Sequence, residues 1–218
     1  MSGIVGSYFN TRGSGVVAKL GTDGQVFTST GAGLSQGFEA AAGGGDCVKL
    51  ATATPVSGTT VDMTSVFSST YRFYKLFIWD VEWGDANRPE VSFLVSGTED
   101  TGTYYEKMFV GNGAISGWGT NSGHENNSDG FRLSNGYGHE TGQNPNFTAE
   151  MTFFNPNSNV TYIPVTFLSS SWDGSQYTCI YGIGHYATEI SATGIRFKGS
   201  AGGTFTSGAL ELYGFTAG

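Results

Sequence analysis

From about residue 59 to the C-terminus, apolar and polar positions alternate in short runs. The clearest run covers 71–83. Tyr71, Phe73, Lys75, Phe77, Trp79, Val81 and Trp83 fall on one side of an extended chain, and Arg72, Tyr74, Leu76, Ile78, Asp80 and Glu82 on the other. A period of two is the mark of a β-strand, whose successive side chains point to opposite faces. Comparable runs occupy 91–95, 104–110, 147–154, 161–168, 176–183, 189–198 and 209–215. The alternation across 147–153 is clean, as for a strand with one wet face. Asp173-Gly174, between two such runs, signals a hairpin turn because glycine accepts positive φ. Pro164 lacks a backbone donor, which predicts that its strand lies at a sheet edge. No window carries a helical 3.6-residue repeat. The pattern predicts an all-β protein, a jelly-roll-like antiparallel β-sandwich of roughly eight strands separated by Gly, Asn and Ser turns.

Two regions depart from this pattern. Residues 111–146 are dominated by Gly, Asn, Ser and His, with strand character only near Phe131-Arg132-Leu133, and predict a long irregular loop of the kind that carries function or meets a partner. Residues 1–46 depart further, because glycine recurs every few positions and each one costs about 0.5–1 kcal/mol in the interior of a helix or strand. No regular element is expected there. The reading is an extended Gly-rich N-terminal arm over 1–46, a linker over 47–58 and the sandwich domain over 59–218. Such an arm spans at most roughly 150 Å when fully drawn out. Its single apolar residues, Ile4, Val5, Tyr8, Phe9, Val16, Val17, Leu20, Val26, Phe27, Leu34 and Phe38, are the side chains that could insert into a docking partner.

Composition narrows the classes of function. The 218 residues suffice for one core. Ten Lys and Arg against eighteen Asp and Glu leave a formal charge of −8, an unfavourable field for a phosphate backbone, so nucleic acid is not an expected partner. No apolar stretch approaches the roughly 20 residues of a membrane-spanning helix. The opening residues lack the basic and apolar regions of a secretory signal, so folding in a cytoplasm is expected. The two cysteines, Cys47 and Cys179, are too few for a disulfide framework and read as free thiols, with Cys179 as a small core residue.

Motifs of chemistry are sparse. Gly13-Ser14-Gly15-Val16-Val17-Ala18 is a fragment of a dinucleotide-binding fingerprint, but that motif works only between a strand and a helix, and no helix follows. No cofactor is expected. His124, His139 and His185 lack close neighbours at metal-ligand spacing and read as solvated histidines, so no metal is expected either. Asp80 and Glu82, two residues apart on one strand and so roughly 7 Å apart, have the separation used by glycoside hydrolases. The same pattern occurs on wet strand faces in general, and no catalytic residue is assigned. Trp118, Tyr137 and Trp172 stand among turn residues, where flat rings stack on sugars or bury in a neighbouring subunit; the subunit contact is the preferred reading.

The opening Met1-Ser2-Gly3-Ile4-Val5-Gly6-Ser7, followed by Asn10-Thr11-Arg12-Gly13-Ser14-Gly15 and the run from Leu20-Gly21-Thr22-Asp23-Gly24 to Gly31-Ala32-Gly33, resembles tail-fibre-like virion proteins of marine and cyanobacterial bacteriophages. Phe153-Phe154-Asn155-Pro156-Asn157-Ser158, Thr193-Gly194-Ile195-Arg196-Phe197 and the ending Leu210-Glu211-Leu212-Tyr213-Gly214-Phe215 are similar to the same family. The resemblance covers most of the chain except 111–146, and its motifs are structural. It implies a non-enzymatic component of the virion surface, a homotrimer attached through its arm to capsid, neck or tail proteins. The sandwich is then expected to present the 111–146 and 169–175 loops to a host-surface glycan. A capsid decoration protein is the alternative. A glycan depolymerase using Asp80, Glu82, Glu125 or Asp129 is a further one.

Overall fold

The computed structural model describes residues 46–83, 88–113, 119–134, 147–172, 177–200 and 202–216, together with strands β1 (Gln25–Thr28) and β2 (Gly37–Ala40). The chain divides into two compact units, 1–45 and 46–218. In the first, β1 and β2 pair antiparallel with Phe27 opposite Phe38. This corrects the expectation of an arm without strands. The overall glycine frequency hides the glycine-free run Gln25-Val26-Phe27-Thr28, which has the β-branched and aromatic content that strands prefer. Val26, Phe27 and Phe38 therefore sit on paired strands, while Ile4, Val5, Tyr8, Phe9, Val16, Val17, Leu20 and Leu34 lie outside the described residues.

The second unit contains strands and turns, with no helix among the described residues. Its strands are β3 (Cys47–Ala53), β4 (Thr60–Met63), β5 (Phe73–Trp83), β6 (Pro89–Val95), β7 (Thr98–Glu99) and β8 (Tyr105–Gly113). They continue with β9 (Gly119–Ser128), β10 (Phe131–Arg132), β11 (Phe147–Phe154), β12 (Ile163–Trp172), β13 (Tyr177–Tyr186), β14 (Gly194–Gly199) and β15 (Phe205–Phe215). Eight of them form one antiparallel sheet in the order β3-β15-β5-β11-β12-β13-β8-β9. A smaller sheet has the order β10-β6-β14-β4, with β7 paired to β6. Ser96 and Gly97, both at positive φ, close the two-residue β6–β7 hairpin with the backbone twist such a turn needs.

The two sheets meet through aromatic rings. From the small sheet, Phe93 packs against Phe153, Tyr105 and Tyr186, and Phe197 against Trp83, Phe147 and Phe205. All are buried, so the expected sandwich is the arrangement observed. The Tyr105 hydroxyl ties the layers by accepting from the Phe93 amide and donating to the Asp100 carbonyl, and burial pushes its pKa well above the usual phenol range.

Several details differ from the sequence reading. Residues 47–53, expected within a linker, form edge strand β3 on β15. Part of the expected loop 111–146 is strand, because β9 takes main-chain hydrogen bonds from β8 and needs no apolar side chains to do so. Pro164 lies in an interior strand, yet β11 ends its pairing at Val165, so at Pro164 only β13 is paired alongside. Cys179 is exposed on β13 and is not a core residue; both thiols are free.

The largest correction concerns β5. Tyr74, Leu76 and Ile78 point inward, but so do Val81 and Trp83. A bulge resets the phase: Thr148 of β11 faces both Trp79 and Asp80, and Asp80 takes φ 50°. Phe73, Lys75, Phe77 and Trp79 thus belong to the outer face, separate from Val81 and Trp83.

Candidate functional site on the outer face of the large sheet

The outer side of the eight-stranded sheet has an unequal distribution of side chains. One cross-strand row runs His124, Met108, Ile183, Thr166, Thr152, Lys75, Tyr213, Lys49. The next runs Val110, Tyr181, Leu168, Glu150, Phe77, Glu211, Thr52. In both rows, β8, β13 and β12 supply side chains without charge: Met108, Ile183 and Thr166 in the first, Val110, Tyr181 and Leu168 in the second. The other half, from β11 to β3, supplies charges and aromatic rings.

On the charged half, Phe77 and Trp79 stack in parallel with centroids 5.5 Å apart, and Tyr213 meets Phe77 edge to face at 5.8 Å. Trp79 is 37% exposed. Charges surround the rings. Lys75 lies over Phe77 and pairs with Glu150 at 3.1 Å, while Lys49 lies over Tyr213 and pairs with Glu211 at 2.7 Å. The Tyr213 hydroxyl donates to Glu211 at 2.6 Å. The Lys49 ammonium holds the Glu211 carboxyl below its ordinary range, and Glu211 in turn raises Lys49 and Tyr213. A rigid aromatic cluster bordered by charge-assisted donors and acceptors can stack on a sugar face and hydrogen-bond its hydroxyls.

The uncharged half exposes Met108 (61%), Val110, Leu168, Tyr181 (57%) and Ile183 (50%). These touch by register: Met108 is opposite Ile183, and Tyr181 is opposite both Val110 and Leu168. At one end, His185 stacks on Tyr162 and pairs with Glu106 at 3.4 Å. His124 lines the same shallow depression as His185 and Glu106, although the three are far apart in sequence. Among the described residues no group of three or more His, Cys, Asp or Glu is placed to hold a metal. His139 lies outside them.

The sequence-selected aromatics divide. Trp172 ends β12, half-buried, with Tyr177 opposite it across the β12–β13 hairpin that Asp173-Gly174 predicts. Trp118 and Tyr137 lie outside the described residues. Asp80 sits at the bulge, where its carbonyl accepts from the Ser207 hydroxyl, and Glu82 accepts from Thr206 at 3.3 Å. Asp129 belongs to an ionic network on the outer side of the small sheet. There Lys198 pairs with Glu99 at 2.7 Å, Asp129 at 3.2 Å and the fully buried Glu90 at 3.6 Å. Arg196 adds a two-pronged pair with Asp62 and a bond to Glu99.

The Phe77–Trp79–Tyr213 cluster was missed because alternation does not distinguish inside from outside when both faces of a strand are apolar. Compared with protein-family models and with curated proteins, the sequence matches none.

Proposed function

We propose that this chain is a non-enzymatic structural protein of a bacteriophage virion. It is fibre-like, attached through residues 1–46 to other virion proteins, and it presents its sandwich to a host-surface glycan. The attachment role rests on the sequence resemblance. The presenting role is supported chiefly by one observation, the stacked Phe77–Trp79 pair with Tyr213 beside it, ringed by Lys49, Lys75, Glu150 and Glu211. Stacking fixes the Trp79 ring before any ligand arrives, which lowers the ordering cost of binding. The polar neighbours offer hydrogen-bond donors and acceptors to sugar hydroxyls.

The test is binding of host-surface polysaccharide to the full chain by calorimetry, with Trp79→Ala as the probe. Loss of one stacking ring is expected to weaken binding by about 1–2 kcal/mol, roughly tenfold, while thermal stability is retained. Equal affinity for wild type and variant removes the cluster from the reading. Release of reducing sugar ends would replace the binding role with a depolymerase. Density for this chain on the capsid shell, away from the tail, would replace the fibre role with decoration.

A further inference from the structure

The geometry points to the uncharged half of the outer face, on β12, β13 and β8, as the surface through which copies of this chain pair with one another. The inference is independent of the glycan reading, because it concerns different strands and different side chains.

Charge argues first. The chain carries −8, so two copies repel unless they meet where charge is least. Along the described outward positions of β8, β12 and β13 the only acidic or basic side chains are Glu106 and His185, 3.4 Å from each other at one end. Met108, Val110, Leu168, Tyr181 and Ile183 lie between that pair and Trp172, with nothing ionic among them. A sugar or an acidic or basic partner would find no charge-assisted bond there, whereas a like surface is complementary to it.

Area argues second. Strands β8, β12 and β13 hold 9, 10 and 10 residues. At the usual strand spacing and rise they cover roughly 14 Å by 33 Å, or about 470 Å² per copy. Two copies then bury about 950 Å², the size of a small, reversible interface. The set includes two ring-bearing anchors, Tyr181 and Trp172, of the type that dominates interface energetics.

Two readouts test this on the full chain. Light scattering after size exclusion is expected to give a multiple of the single-chain mass for wild type and a single-chain mass for Met108→Glu and Tyr181→Glu, both outward positions whose substitution spares the core. Trp79→Ala, on the other half, is expected to keep the wild-type mass. In a Cys47→Ser background, Cys179 is the sole thiol and lies on the same face, opposite Ser170. Its alkylation is expected to rise about tenfold when Tyr181→Glu is added, as mass action requires if roughly nine chains in ten are associated. A wild-type chain of single mass overturns the proposal. So do glutamate variants that keep the multiple, or a Cys179 rate indifferent to them. Because Trp79→Ala reports on glycan and Tyr181→Glu on mass, failure of one reading is separable from failure of the other.

Discussion

The ring of Phe167 fills the space above Gly182, its direct partner on the neighbouring strand, so closely that a β-carbon at 182 would overlap the ring. Glycine is required here by the close approach, since its φ is unremarkable. Gly182→Ala is therefore expected to cost about 2–3 kcal/mol by overpacking. In a chain of this size that lowers Tm by roughly 5–10 °C. Phe167→Leu in the same molecule should recover part of the loss, and a double-mutant cycle of thermal melts measures the coupling. Additive losses would remove the argument.

Asp80 marks the bulge of β5 with its φ of 50°. Asparagine and glycine tolerate that region and β-branched residues do not. Asp80→Asn is expected to leave stability within about 0.5 kcal/mol, whereas Asp80→Val should lose about 1–3 kcal/mol, both read by urea unfolding. On the adjacent strand Gly208 has φ 137°, and a β-carbon there would stand 2.7 Å from Val81, so Gly208→Ala should behave like the valine variant.

The ionic network over the small sheet sets a pH dependence. Burial, with Asp129 nearby, raises the pKa of Glu90. A carboxyl raised on folding contributes stability in full below its unfolded value and loses it as pH rises through the folded value. Glu90→Gln is therefore expected to raise Tm at neutral pH by about 2–4 °C, near 1 kcal/mol, with the gain fading as pH falls through the raised folded value and gone below the ordinary carboxylate range. Glu99 and Asp129 have the opposite sign. Burial raises both, but hydrogen bonds from Lys198, and for Glu99 also from Ser92 and Arg196, bring them below their ordinary values. Their contribution is present above the unfolded value and is lost as pH falls, so Glu99→Gln should lower Tm at neutral pH and approach wild type in acid. Melts across the acid range check both signs.

Arg196 links β14 to β4 and β7 through Asp62 and Glu99. Asp62 raises the guanidinium pKa further, so its charge persists at every accessible pH. Lysine offers a point charge in place of a planar fork. Arg196→Lys is expected to cost about 1 kcal/mol in urea unfolding, and Asp62→Asn together with it should cost little more.

The strands were legible from sequence where one face was apolar and the other wet, as in 147–153. They were not legible in three situations. The pairing of 119–128 depends on backbone hydrogen bonds from β8, which leave no trace in side-chain pattern. The phase of 71–83 depends on one inserted residue, and a strict period of two carried across Asp80 assigns Val81 and Trp83 to the face of Trp79. The strand at 47–53 depends on a partner, β15, that lies at the far end of the chain. The aromatic cluster shared this fate: Phe77 and Tyr213 belong to separate runs, and only the register of β5 with β15 brings them together.

The rim strand β9 reads Gly-Thr-Asn-Ser-Gly-His-Glu-Asn-Asn-Ser, and among the described residues it bonds to β8 alone. Glycine and asparagine are poor strand formers, and a border made of them is a weak template for another chain. Growth by lateral strand addition has no natural end and leads to fibrils, whereas contact across a broad flat side is complete once that side is covered. At the β9 border, therefore, the sequence disfavours extension of the sheet by a further strand.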